Sequence, residues 1–261
     1  MAGSERLGGW WQKGREAFAT LIDPEPVEHD PKAGWTTLAT GLGVSGFLFW
    51  RNNFGMDFSE YNLLNITCIL FVPLLVILMV LRRDPAEFGL RWGRSGPGLL
   101  VAVALFLLFV PVLWVVAPMR DAQDYYLNWL GSSGSRTIVG AVFDYGTRTW
   151  SKGAFLDGGR LVYHEFVMAF YMFSWEWYHR GFLLNGLRKV MPLWGAVLGQ
   201  SLLFMALHWG KPMPETLSSL PGGVLMAWFA LRYRSFLPCF LLHFLVSAGF
   251  DAGVLFFYFR S

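Results

Sequence analysis

Three stretches of this sequence are long and apolar enough to cross a lipid bilayer as helices. Residues 61–81, 96–118 and 236–258 contain a single charged side chain between them, Asp251. The hydrocarbon core of a bilayer is spanned by about 20 apolar residues. Because lipid offers the backbone no hydrogen-bond partners, such stretches must form helices, and Pro73 should kink its helix without ending it. The sequence therefore predicts a helical membrane protein.

Composition supports this prediction. Only 15% of the residues are charged, whereas soluble domains carry about 25%. Four weaker apolar stretches extend the count, so we predict an all-α, polytopic membrane bundle of about seven transmembrane helices. The added spans cover 34–50, 161–186, 192–209 and 221–232.

The predicted organisation has four parts: a tail (1–33), three transmembrane helices (34–118), a polar loop with short helical pieces (119–160) and a group of core helices (161–258). Within the tail, residues 7–22 mix Trp and Phe with Lys and Arg, a pattern of an interfacial helix; a disordered tail is the alternative. When the chain is threaded through seven spans, most Lys and Arg residues fall in segments on the same side of the membrane as the N-terminus. The positive-inside rule therefore places the N-terminus in the cytoplasm.

Some residue classes argue against particular functions. The net charge of +3 is too small to indicate a nucleic-acid partner. Cys68 and Cys239 stand alone in apolar runs, without the spacing of a disulfide pair or a zinc site, and are expected to be buried hydrophobic residues.

Ionisable residues within the predicted spans are the candidates for function, because each costs several kcal/mol at membrane depth and needs a partner or a purpose. Glu176 and Arg180 are four residues apart on one helix, the better orientation for an ion pair. Glu165 lies three turns before Glu176, roughly 16 Å away, so the two carboxylates cannot serve one reacting atom. The full set is His164, Glu165, Glu176, His179, Arg180, His208, His243 and Asp251.

His208 and His243 belong to different predicted spans. Polar groups on three helices avoid lipid only by facing inward, so we expect both histidines to meet Glu176 in one cavity. Such a cavity suits water activation, with Glu176 as the base and the imidazoles as oxyanion donors or proton shuttles. Two histidines and a carboxylate could instead hold zinc, but no HExxH motif is present. We expect neither a metal nor another cofactor.

Three motifs in order resemble the CPBP family, the CAAX-protease and bacteriocin-processing membrane proteins, also called Abi. These are WEWYHR at 175–180, FMALH at 204–208 and HFLVS at 243–247. The family's pattern is EExxxR, FxxxH and HxxxN or HxxxD. The resemblance covers roughly 160–250 and implies a glutamic intramembrane protease-like core of membrane helices. It also implies location in a bacterial inner membrane.

The resemblance places Glu176, Arg180, His208, His243 and Ser247 at site positions, with two departures. Trp175 occupies the position of the family's expected water-activating Glu, and Ser247 that of its last Asn or Asp. An indole has no proton-accepting atom and cannot be a base. For Glu176 to take that place, it would have to leave Arg180 or its helix would have to rotate.

Asp251 lies one turn beyond Ser247. It is a weaker candidate for a replacement acid, and we expect it to be an interfacial charge near the membrane surface.

Two functions follow. The favoured one is a catalytically degenerate family member that acts as a binding or structural subunit of a membrane complex, with lipid or other integral membrane subunits as partners. The alternative is an active glutamic-type endopeptidase that cleaves a membrane-associated or lipidated peptide. A transporter is less favoured, because no pair of broken helices occupies matching halves of the chain.

Overall fold

The computed structural model describes residues 25–131, 138–144, 146 and 149–260. The predicted interfacial helix at 7–22 lies outside them. Within the described part, eight α-helices and a short β-hairpin follow one another along the chain: α1 Pro31–Arg51, α2 Phe58–Leu81, α3 Ser95–Val116, α4 Arg120–Gly131, β1 Val139–Asp144, β2 Thr149–Leu156, α5 Gly158–Glu176 with its continuations Trp177–Leu183 and Leu184–Leu187, α6 Leu193–Ala206, α7 Met213–Tyr233 and α8 Leu237–Tyr258. The all-α membrane bundle is confirmed.

Three of these helices, α2, α3 and α8, are long and apolar enough to cross a membrane, by length and composition. Helix α6 is apolar but has 14 residues. Helix α7 begins at Met213, eight residues before the span predicted at 221–232, because Pro221 is accommodated inside the helix. The number of helices that cross fully therefore stays a prediction.

Acidic side chains start the first two helices. The Asp30 carboxylate accepts a hydrogen bond from the Ala33 N–H at 3.0 Å, and Asp57 and Glu60 form a capping box. Each satisfies N–H groups that the first helical turn leaves free. Helix α2 runs continuously past Pro73, as predicted, with π-helical segments on either side of it. Wider turns of this kind allow a helix to absorb a missing backbone hydrogen bond.

Helix α8 packs most extensively against α3 and then against α5. The close approach of α3 depends on small residues: a Cβ added to Gly98 would lie 2.5 Å from the Pro238 ring, and one added to Gly249 2.9 Å from the Phe106 ring. Along the apolar stretch of α3, only 11% of the residues are buried inside the protein. The remainder of α3 is an apolar surface of the kind that lipid covers.

The stretch predicted as a polar loop contains more structure than expected. Helix α4 agrees with the expected helical pieces, but β1 and β2 form an antiparallel hairpin in which Val139 pairs with Leu156 and Asp144 with Thr149. β-branched and aromatic residues flank a Gly-containing turn here, which is a strand signal that the sequence interpretation missed. Gln123 attaches α4 to α8 by donating to the Val254 carbonyl at 3.1 Å.

The segment before α1 is fastened to loops at one end of the bundle. The Glu25 carboxylate pairs with Arg91 and with Arg234, whose Nη1 is 3.2 Å away. The Arg188 guanidinium donates to the Glu25 carbonyl, and burial lowers the pKa of Arg188. These arginines come from three different loops, so the carboxylate and the backbone carbonyl of Glu25 together join the ends of several helices.

Candidate functional site

Helix α5 changes from α-helical to π-helical geometry in the middle of the WEWYHR motif. The α-helical part ends at Glu176, and the π-helical turn runs Trp177–Leu183. Such turns widen a helix by one residue and are frequent at functional sites. Gly181 lies in this turn against Gly89, where a Cβ on Gly89 would be only 2.7 Å from the Gly181 Cα. The loop before α3 therefore presses directly on the motif.

Glu176 is fully buried and bridges two partners. Its Oε1 lies 2.6 Å from Nδ1 of His243 on α8, and its Oε2 lies 3.2 Å from Nε of Arg180. We call Glu176, Arg180 and His243 the Glu176 centre. Two of the predicted site residues therefore meet Glu176, which keeps Arg180 and does not move into the position of Trp175.

Two aromatic rings fill the space beside the Glu176 centre. Trp175 is 4% exposed, and its ring packs edge-on against that of His208, with centroids 5.6 Å apart. The Phe204 ring lies 4.4 Å from the His208 ring and 6.0 Å from the His243 ring. It also receives the Arg180 guanidinium on its face at 4.1 Å, a cation–π contact. Phe204 thus contacts the two histidines that the sequence placed in one cavity.

His208 has polar partners of its own and makes no described contact with Glu176. Its Nδ1 bonds to the Phe204 carbonyl at 2.8 Å, and its Nε2 lies 3.9 Å from Oε1 of Glu215 on α7. Glu215 in turn accepts from Lys211 at 2.6 Å and from the Tyr126 hydroxyl at 2.5 Å. Burial alone would lower the pKa of Lys211, but the Glu215 carboxylate outweighs it and the pKa is raised. The sequence interpretation missed Glu215.

Ser247 lies one turn beyond His243 on α8 and is half-buried; it joins none of the described contacts of the Glu176 centre. His179, which the sequence named without a role, packs against Trp175 at 4.8 Å. Its Nδ1 bonds to the Trp175 carbonyl at 2.9 Å. Ser247 is thus the predicted site residue for which the described contacts show no link to the Glu176 centre.

Several buried polar atoms around the motif have no hydrogen-bond partner among the described residues. They include Nε1 of Trp175, Nε2 of His179 and Nη2 of Arg180. Leaving such atoms unpaired costs about 1–3 kcal/mol each. The motif therefore retains unpaired hydrogen-bond donors and acceptors next to the rings of Trp175 and Phe204.

A second polar group lies nearer the beginning of α5. His164 and Asp251 are both buried, and His164 Nε2 is 3.4 Å from Asp251 Oδ2. Glu165 completes a set of three whose ligand-type atoms lie within 4.8 Å of one another. We call these residues the Asp251 cluster. Asp251 was expected to be an interfacial charge near the membrane surface; in the structure it is instead 3% exposed and packed against His164 on α5.

The fold and these buried polar groups define the class: an integral membrane protein built from a helical bundle with ionisable groups between its helices. Residues 161–249 match the family model described as Type II CAAX prenyl endopeptidase Rce1-like. The match agrees with the resemblance to the CAAX-protease family over this region of the chain. No curated protein and no solved structure matches the chain.

Proposed function

We propose that this protein is a catalytically degenerate member of the CAAX-protease family that acts as a binding or structural subunit in a membrane complex. The observation that carries the proposal is Trp175. The resemblance assigns its position to the water-activating Glu, and its indole ring packs against both His179 and His208. An indole ring accepts no proton, so Trp175 cannot act as the water-activating base.

The surroundings of Glu176 support the same proposal. Its carboxylate is fully buried and engaged by Arg180 on one side and His243 on the other. A carboxylate stabilised by a buried cation is a weak base, because the cation favours its charged form. Glu176 in this arrangement serves to join α5 to α8.

The first test restores the missing base. We expect purified wild-type protein to leave a prenylated peptide with a free C-terminus uncut, and Trp175→Glu to introduce measurable hydrolysis by placing a carboxylate beside His208. Trp175→Gln is the matched control, because it opens the same space without a base. Hydrolysis by the wild-type protein would contradict the proposal.

The second test addresses the subunit role. We expect the protein, extracted from its native membrane in gentle detergent, to co-purify with a fixed set of integral membrane partners. The partners should persist when Glu176 is replaced by Gln, since binding does not need a base. A monodisperse monomer without partners would contradict the subunit role but would leave the loss of catalysis to the first test.

One contact favours a second candidate, an active endopeptidase. The 2.6 Å contact between Glu176 and His243 is a carboxylate–imidazole pair of the kind that can activate water when the site opens. If this candidate is right, the wild-type protein hydrolyses a lipidated peptide and the Glu176→Gln variant does not. Hydrolysis that survives this change would exclude Glu176 as the base.

A further inference from the structure

The Asp251 cluster combines one imidazole with two carboxylates between α5 and α8. One ligand-type atom from each of His164, Glu165 and Asp251 lies within 4.8 Å of the other two. His164 and Asp251 are 6% and 3% exposed. Imidazole nitrogen and carboxylate oxygen are ligands that zinc, manganese and iron accept in proteins. The set therefore has the chemistry of a metal site, and it is separate from the Glu176 centre.

The spacing fits a small divalent ion. Zinc binds His nitrogen and carboxylate oxygen at about 2.0–2.2 Å in a tetrahedron, so two of its ligand atoms are about 3.3–3.5 Å apart. His164 Nε2 and Asp251 Oδ2 are 3.4 Å apart. Only Glu165 has to move closer, and a Glu side chain can do so by rotating about its own bonds.

Charge also favours a cation here. Two carboxylates that lie this close, with Asp251 buried and Glu165 half-buried, repel each other when both are ionised, and one imidazole can neutralise only one of them. Lys211, whose charge acts on Asp251, is itself paired with Glu215 at 2.6 Å. A divalent ion would neutralise both carboxylates while leaving the imidazole uncharged.

Two features prepare the ligands. Oε2 of Glu165 is buried and forms no hydrogen bond within the described part of the chain. The Phe58 ring stacks on the His164 imidazole with centroids 4.7 Å apart, which fixes the ring plane with Nε2 directed at Asp251. An unpaired acceptor beside an oriented imidazole is the arrangement expected before an ion binds.

We propose that His164, Glu165 and Asp251 bind a divalent transition-metal ion that ties α5 to α8, with a remaining coordination position open to water. The ion joins the start of α5 to the last third of α8, whereas the Glu176 centre joins the same two helices further along. The bound ion would stabilise the packing of α5 against α8, and this role is the same whether or not the protein hydrolyses peptides.

The experiment uses the full chain in detergent, with any affinity tag removed and bound metal stripped by a chelator. Zinc alone is then titrated, and the bound metal per chain and the shift in unfolding temperature are measured. We expect one zinc ion per chain and a higher unfolding temperature, because a ligand that binds only the folded state stabilises it. Cobalt substitution should give the visible absorption of a nitrogen- and oxygen-ligated ion.

Near-isosteric variants identify the ligands. His164→Gln and Asp251→Asn should abolish stoichiometric binding, and Glu165→Gln should weaken it at least about tenfold. Asp124→Asn, which changes an exposed carboxylate, should bind zinc like the wild-type protein. Unfolding temperatures without metal verify that each variant is folded. Absence of a stoichiometric zinc ion in the wild type, or equal binding by the folded His164→Gln variant, would overturn the proposal.

Discussion

The Glu176 centre and the Asp251 cluster join the same two helices with the same kinds of side chain, but they differ in their cations. At the Glu176 centre, one carboxylate faces Arg180 and His243. At the Asp251 cluster, two carboxylates share His164. The first pairs its one carboxylate with a guanidinium, whereas the second has two carboxyl groups and no guanidinium or ammonium group among its members. Buried ionisable groups in a membrane bundle can therefore serve either stability or ligand binding, and their charge balance separates the two roles.

Removing the carboxylate at the Glu176 centre should have the largest effect. Glu176→Ala leaves Arg180 buried without its ion pair, and we expect a loss of about 3–5 kcal/mol in the free energy of unfolding. Thermal unfolding in detergent measures it. The double variant Glu176→Leu with Arg180→Met removes both charges and should recover most of the loss. An unchanged unfolding temperature for Glu176→Ala would break the comparison.

The two tryptophans of the WEWYHR motif, Trp175 and Trp177, offer a smaller, paired test. Trp177 Nε1 donates to the Phe88 carbonyl at 3.2 Å, whereas Trp175 Nε1 has no described partner. Trp177→Phe should therefore destabilise the protein by about 1 kcal/mol more than Trp175→Phe, since it also leaves a buried acceptor unpaired. Equal unfolding temperatures for the two variants would mean that the Trp175 indole N–H does find a partner.

At the Asp251 cluster, the effect of removing a charge should have the opposite sign. Without metal, Glu165→Gln removes a carboxylate that repels Asp251 and supplies an amide that can donate to it. We expect unfolding stability to stay constant or to rise by up to about 1 kcal/mol. A clear loss of stability would show that Glu165 is already satisfied, and the contrast between the two regions would disappear.

Asp30 gives the smallest expected effect and serves as an exposed reference. The Ala33 N–H holds its pKa below the usual value, with Arg83 adding to the effect against the opposing cost of burial. Asp30→Asn keeps the helix cap but loses the 2.9 Å ion pair with Arg83, worth about 0.2–1 kcal/mol. Because the folded pKa is lowered, this contribution is present above the pKa of the unfolded chain and is lost as pH falls through the folded value. A wild-type advantage that persists in acid would contradict this assignment.

Spacing along the sequence predicted the local features of the site well, but it predicted contacts between distant segments less well. The i, i+4 spacing of Glu176 and Arg180 was sufficient to predict their pairing, and apolar runs predicted the long helices. The sequence suggested that His243 would approach Glu176, since polar groups on separate membrane helices must face inward. It could not predict that Phe204 would contact both histidines, because a sequence motif does not specify where a side-chain ring lies in the fold.

The missed features depend on contacts between distant segments. Glu215 reaches His208 only because α7 begins before the predicted span, at Met213. The burial of Asp251 against His164 could not be predicted, because it depends on how α8 packs on α5 and not on the length of the apolar run. Apolar and polar residues alternate only weakly along the two strands of the hairpin, so the sequence alone did not show that the strands pair with each other.

The fastening of Glu25 has a consequence for the order in which the chain assembles. Glu25 and Arg234 are 209 residues apart in the chain, and Arg91 and Arg188 are added between them. A ribosome that produces about 5–20 residues per second therefore completes the segment around Glu25 some ten seconds or more before its last arginine partner exists. During that interval the amino-terminal segment is held by fewer contacts than in the finished protein. Closure of this contact is thus a late event that reports the arrival of the turn between α7 and α8.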